Sequence, residues 1–174
     1  MKLISKWVGR MKLFTLHGNN EKFYYAQILN DKAPYYLDFV HISETRTKSL
    51  AIGDYCYLLR ANRLNRISMY NSTPTFSQKA FGYLQELLIP QAEEIVELTF
   101  ENRLFYIVQP KILMFTNSLN WKQISKETPK NVSFFREASD AYRAVVTQEF
   151  KDICDKHKLK GMCFELKYDS EATP

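Results

Sequence analysis

Up to position 70, hydrophobic residues cluster in short segments that are rich in β-branched and aromatic side chains. Polar turn residues separate these segments. Segments of this kind are typical of strands. They predict strands over 12–16, 23–29, 35–41 and 55–60, and a further one over 66–70 that would return after a loop at 61–65. Pro34, following Asn30 and Asp31, predicts a turn between the second and third strands.

The hydrophobic period then changes to that of a helix. Apolar side chains recur at helical spacing between a suitable N-cap, Ser77, and a helix-stopping Pro90. Beyond the predicted helix, residues 94–100 alternate between apolar and polar positions, and 104–108 are more uniformly apolar. These two segments predict a hairpin that turns at 101–103.

From 111 to 131 an apolar ILMF is followed by the polar run SLNWKQISKETPKN. This mixed pattern predicts a short strand and then a long loop, with Trp121 as its anchor.

The last third of the chain has the clearest pattern. Strands are predicted over 132–136 and 142–146, followed by a helix that Thr147 would cap. One apolar stripe runs along that helix, and the next strand, 162–168, would place four large apolar side chains on one face. The run KHKLKGMCFEL between them indicates a helix-to-strand junction, in which Gly161 allows the turn. The stripe comprises Phe150, Ile153, Cys154 and His157, and the strand face comprises Met162, Phe164, Leu166 and Tyr168.

These elements predict an α+β fold, with mostly antiparallel twisted sheets, a few helices and a C-terminal strand–helix–strand. A chain of 174 residues without internal repeats or a Ser/Gly-rich linker suits a single domain. We predict one domain over 1–174, with a β-rich front half at 11–70, a second half at 77–168 and a frayed tail at 169–174. Either Met1 or Met11 would serve as the start.

The positive charge lies in the first half of the chain. Residues 1–87 contain 12 Lys and Arg against 6 Asp and Glu, a net +6, whereas residues 88–174 contain 12 against 13, a net −1. A basic half indicates an acidic partner surface or a nucleic acid. Arg60, Arg63 and Arg66 stand in LLRANRLNR, and the first half interleaves its basic residues with Tyr and Phe. This combination holds single strands but also suits protein interfaces.

Reactive and metal-binding patterns are sparse. Cys56, Cys154 and Cys163 form no CxxC pair, and the three histidines form no HxH or HxxxH pair. The sequence also lacks GxSxG, GxGxxG and a phosphate loop, so we predict no catalytic residue, metal or cofactor. Cys163, near Lys160, is a better candidate for a reactive thiol than Cys154 on its apolar stripe. Unpaired cysteines and the lack of a membrane-length apolar run predict a cytoplasmic protein away from the membrane.

The second half contains, in order, SQKAFGYLQELL, EEIVELTFENRLFYIVQP, ILMFTNSLNW and NVSFFREASDAYRAVVTQEFKDICDKHKLKGMCFEL. This order over about 77–168 resembles a bacterial family of polymorphic-toxin immunity proteins, long catalogued as a domain of unknown function. The family pattern ends with a strand closing in Phe135-Arg136, a second strand at 142–146, a helix at 148–158, and the run 159–162 with Phe164.

The resemblance implies inhibition by binding: a cytoplasmic protein, not an enzyme, that captures a cognate antibacterial toxin and blocks its active site. For the contact residues we predict the anchor types common in interfaces, namely Arg60, Arg63, Arg66 and Trp121. The basic first half predicts that the toxin has an acidic contact face. A nucleic-acid-binding module that uses this basic, aromatic-rich half is the alternative, and an enzyme built from scattered polar residues is a third reading.

Overall fold

The structure is a computed structural model that describes residues 11–19, 22–28, 35–40, 51–59 and 73–172. The strands that it describes are, in chain order, β1 (Lys12–Gly18), β2 (Tyr25–Ile28), β3 (Tyr35–Val40), β4 (Tyr55–Leu59), β5 (Thr73–Ser77), β6 (Ala92–Phe100), β7 (Arg103–Pro110), β8 (Ile112–Leu113), β9 (Phe134–Glu137), β10 (Asp140–Thr147) and β11 (Met162–Asp169). The helices in the same ranges are α1 (Gln78–Leu88), α2 (Trp121–Glu127) and α3 (Gln148–Lys156).

The described strands form two sheets. One is a five-stranded sheet in the order β11-β1-β10-β9-β8, antiparallel except between β8 and β9. The other closes into a barrel in the order β2-β3-β6-β7-β5-β4, with parallel pairing only between β2 and β4 and between β3 and β6. The predicted α+β class, with mostly antiparallel sheets and a C-terminal strand–helix–strand, is confirmed. No helix within the described ranges is long and apolar enough to cross a membrane.

Several local predictions are also confirmed. Ser77 caps α1, accepting a hydrogen bond from the Ala80 amide at 3.1 Å. The predicted hairpin is the β6–β7 pair, joined by a two-residue turn in which Glu101 and Asn102 both have positive φ, the signature of a type I′ turn. The strand predicted over 66–70 lies outside the described residues.

One hydrophobic core joins the barrel to the five-stranded sheet. Phe76 of β5 contacts Phe134 of β9 and Phe150 of α3, with ring centroids 6.2 and 6.4 Å apart. The inner residues of α1 and three members of the predicted stripe, Phe150, Ile153 and Cys154, pack into the same cluster. The fourth, His157, is the C-cap of α3 and instead stacks on Tyr83, with ring centroids 3.6 Å apart. Because a fully buried Phe side chain contributes about 1.5–3 kcal/mol by leaving water, this shared cluster holds the two sheets together.

The long loop predicted for the polar run after ILMF is wrong in part, because residues 121–127 form the helix α2. Its N-cap is Asn120, whose side-chain oxygen accepts a hydrogen bond from the Gln123 amide at 3.1 Å. Helix α2 packs Ile124 and Trp121 against the face of the five-stranded sheet opposite the barrel. A helix of seven residues offers too few periodic positions to be distinguished from a loop by its sequence pattern.

Two predictions for the last third need correction. In β11 the pairing with β1 shifts between Leu13 and Phe14, so Lys167 becomes an extra residue. Tyr168 therefore packs on the opposite face of the sheet from Met162 and Phe164, and Leu166 is half exposed. Thr147 does occupy the N-cap of α3, but its hydroxyl makes no capping hydrogen bond.

A tight backbone contact fixes the junction between α3 and β11 against the barrel. Gly161 has a φ of +95°, and a Cβ added there would lie 2.4 Å from the Tyr55 carbonyl oxygen. Beside it, the Asp54 carboxylate accepts hydrogen bonds from the Lys160 amide and from the Ser77 hydroxyl, each at 2.9 Å. The predicted role of Gly161 at this turn is confirmed, and the contact requires glycine for space as well as for its φ.

We therefore expect Gly161→Ala to lower the free energy of unfolding by about 2–5 kcal/mol, since it adds a backbone clash to an unfavourable φ. Gly82→Ala is the matched control, because a Cβ at that helical position meets nothing within 4 Å. It should stabilise the protein by about 0.5–1 kcal/mol. Urea unfolding of both variants measures the difference, and an unchanged midpoint for Gly161→Ala would contradict the contact.

Candidate functional site

A pocket of about 240 Å³ opens on the face of the five-stranded sheet that is turned away from the barrel. We call it the outer-face pocket. Its volume is below the roughly 300–1,000 Å³ of typical small-molecule sites and is better matched to one large side chain. Its lining residues are Thr15, Ser118, Leu119, Trp121, Ile124, Glu137, Ser139, Arg143, Val145 and Lys167.

Strand alternation brings these side chains to one face. Residues of β1, β10 and β9 point alternately toward the shared core and toward α2, and Thr15 and Val145 are direct partners across β1 and β10. Helix α2 covers the apolar half of this face through Ile124, which packs with Val145 and Phe135. The outer-face pocket lies where this covered apolar half meets the polar half.

The loop before α2 forms one wall of the pocket and is held by a carboxylate. Glu127 accepts a hydrogen bond from the Thr116 amide at 2.9 Å and another from the Gln123 side chain at 2.5 Å. The bond from Gln123, then that from Thr116, lowers the pKa of Glu127. Glu127 therefore fixes the position of the loop that carries Ser118 and Leu119.

Glu137 is the most buried charged group in the pocket wall, with 5% of its surface exposed. One of its carboxylate oxygens accepts hydrogen bonds from the amide of Ser139, at 2.9 Å, and from the Ser139 hydroxyl. Within the described ranges, no lysine, arginine or histidine forms an ion pair with Glu137. A buried carboxylate without a cation is unusual, because desolvation of a charge is costly unless it is paired.

A separate polar cluster borders the pocket on β1 and β11. Lys167 lies 2.5 Å from one oxygen of Glu165, and His17 lies 3.3 Å from the other. Thr15 donates a hydrogen bond to Glu165 at 3.2 Å. These contacts, above all the hydrogen bond from Lys167, lower the pKa of Glu165. The charge of Lys167 is therefore largely neutralised within the cluster.

The loop that forms one wall of the pocket carries two exposed apolar side chains, one of which lies in the pocket wall. Leu119, in its wall, is 88% exposed, and Met114, at the other end of the same loop, is 86% exposed. The exposed Leu119 therefore adds apolar area to the pocket wall that a bound protein would cover.

The structure places one predicted contact residue, Trp121, in the pocket wall, where it also packs against the cluster under α2. Arg60, Arg63 and Arg66 lie outside the described residues. Sequence reasoning missed Glu137, Ser139 and Arg143, because the mixed acidic and basic residues of FREASDAYR are also typical of a solvated surface. Among the residues described, no group of three His, Cys, Asp or Glu side chains could hold a metal ion.

Comparison with models of known protein families, with curated proteins and with solved structures gives no match for this chain.

The three thiols differ in their surroundings. Burial raises the pKa of Cys56 and of Cys154 to about 12, whereas Cys163 is exposed on β11 opposite His17.

We expect a thiol reagent at neutral pH to modify one cysteine per folded chain, and Cys163→Ser to abolish the reaction. Mass spectrometry of the labelled protein, with urea-unfolded protein as the control, identifies the sites. Rapid native labelling of Cys56 or Cys154 would contradict the packing.

The loop contact of Glu127 predicts a pH dependence. The pKa of Glu127 is lower in the folded state than in the unfolded state. Its carboxylate therefore stabilises the fold at any pH above the unfolded-state pKa, and this stabilisation is lost as the pH falls through the folded-state pKa. In Glu127→Gln, the free energy of unfolding should therefore fall less steeply between neutral and acidic pH, as urea unfolding measures. Glu93→Gln, at an exposed position outside the loop, is the control. Identical pH profiles for Glu127→Gln and the parent protein would contradict the contact.

Proposed function

We propose that this chain is an immunity protein, which binds a cognate antibacterial toxin in the cytoplasm and neutralises it by occluding its active site. The resemblance of residues 77–168 supplies the functional class. The observation that carries the proposal is the outer-face pocket, with Trp121 and the exposed Leu119 in its wall. These are features of a surface that binds another protein.

The arrangement matches the anatomy of protein interfaces. Their energetic centre is an apolar pocket with an aromatic or arginine anchor, and their rim is polar and wet. Here Trp121 and Ile124 supply apolar wall, whereas Arg143 and the Glu165 cluster lie toward solvent. A standard interface buries about 800 Å² on each partner, so contacts would extend beyond the pocket.

The charge distribution adds a second element to the proposal. The net +6 of residues 1–87 favours rapid association with an acidic face of the toxin. Arg60, Arg63 and Arg66 stay predicted contacts of that region. Inhibition of this kind requires no chemistry from the inhibitor, only a tight and complementary surface.

Co-expression with the toxin, which we expect the adjoining gene to encode, tests this function. We expect the chain to restore growth of the toxin-expressing cells and to co-elute with the toxin as a stable complex.

Leu119→Asp should weaken the complex about 30-fold or more, the loss expected at an interface hot spot. Because Leu119 is 88% exposed, the substitution leaves the core unchanged. Binding is measured by calorimetry.

Ile89→Asp is the matched control, an exposed apolar position outside the pocket that should leave binding unchanged. An adjoining gene that encodes no toxin, or a toxin that neither binds nor is inhibited, would refute the proposal. Salt-dependent binding to an oligonucleotide that is lost on substitution of Arg60, Arg63 and Arg66, with no toxin partner, would replace it with the nucleic-acid alternative.

A further inference from the structure

We propose that the outer-face pocket receives a basic side chain, an arginine or a lysine, which the bound protein inserts beside Glu137. The identity of the bound protein as a toxin rests on the proposed function, whereas the preference of the pocket for a cation does not. The charge, the lining and the size of the pocket each support the inference.

The charge of Glu137 is the main support. Glu137 is 95% removed from solvent at the pocket wall, and within the described residues the hydrogen bonds to its carboxylate come from Ser139. Both of these bonds reach the same oxygen, Oε2, so Oε1 is left to accept from an occupant of the pocket. A guanidinium or ammonium group placed there would give the carboxylate the ion pair that it does not form with any described residue.

The lining suits a long basic side chain better than other occupants. Trp121 places an aromatic ring in the pocket lining, where a cation would be attracted to it, and Leu119, Ile124 and Val145 offer apolar contact to an aliphatic stem. The hydroxyls of Ser118 and Ser139 add hydrogen-bonding oxygens. An acidic occupant would instead face Glu137 in a desolvated position, where like charges repel strongly.

Two cations in the pocket wall must be weighed against this preference. Lys167 is paired with Glu165 at 2.5 Å, and Glu165 also contacts His17 at 3.3 Å. Arg143 is exposed, so water and salt screen its charge. Of the three charged residues in the pocket wall, Glu137 is the buried one, and water and salt screen the field of a buried charge least. The pocket interior therefore favours a cation, although the formal charges of its lining do not sum to a negative value.

This preference is compatible with an acidic contact face elsewhere on the partner. The positive excess of the chain lies in residues 1–87, whereas residues 88–174, which supply all of the pocket except Thr15, have a net charge of −1. A partner with an acidic face and one protruding basic side chain would complement both regions.

Titration of the full-length chain with N-acetyl-arginine amide, followed by NMR, tests the pocket directly. The neutral analogue N-acetyl-citrulline amide has the same shape without the charge. We expect the arginine probe to shift the Trp121 indole and Ser139 amide signals, and to bind at least tenfold more tightly than the citrulline probe. Glu137→Gln, which keeps the side-chain shape, should remove this difference, whereas Glu93→Gln should keep it.

Equal binding of the two probes, no shift at these signals up to the solubility limit of the arginine probe, or tighter binding of N-acetyl-aspartate amide would overturn the inference. The same variants in the toxin-binding assay separate it from the proposed function. A complex that Leu119→Asp weakens but Glu137→Gln leaves unchanged would support the proposed function and overturn the role of the pocket. If the pocket prefers the arginine probe but the chain captures no toxin, the inference about the pocket would stand and the proposed function would be overturned.

Discussion

The close approach of Gly161 to the carbonyl oxygen of Tyr55 is the constraint on which the arrangement of the two sheets depends. There the chain leaves α3 to enter β11, and the backbone of the five-stranded sheet lies directly against the first residue of β4 in the barrel. Next to this contact, the Asp54 carboxylate stabilises the junction by accepting hydrogen bonds from the Lys160 amide and the Ser77 hydroxyl. The side chain of Tyr55 packs against Phe76 with ring centroids 5.2 Å apart, so the backbone contact and the shared aromatic cluster meet at one residue.

The two faces of the five-stranded sheet are chemically different. One face is committed to the core shared with the barrel, through residues such as Phe14 and Phe134. The other face is only half covered by α2, and its polar half stays open. A concave surface with an apolar wall and a buried carboxylate therefore forms on the outside of a well-packed scaffold, where a partner can reach it without disturbing the core.

The candidate site was only partly predictable. Trp121 could be singled out because a large aromatic residue in a polar run must either bury its ring or bind something, and here it lines the pocket and packs under the helix. Glu137 could not, because nothing in FREASDAYR distinguishes a buried carboxylate from a solvated one. Its burial depends on the neighbouring strands and on a loop more than ten residues away in the chain.

The sequence by itself determined the elements whose signals are local: the capped helix α1, the β6–β7 hairpin, the apolar stripe of α3 and the α+β class. Tertiary structure decided the closure of the barrel, the short helix α2 and the register shift that places Tyr168 on the opposite face from Phe164. The reason is physical. Hydrophobic period and capping act within one or two turns of chain, whereas strand order, register and the burial of a charge depend on residues that only the folded chain brings together.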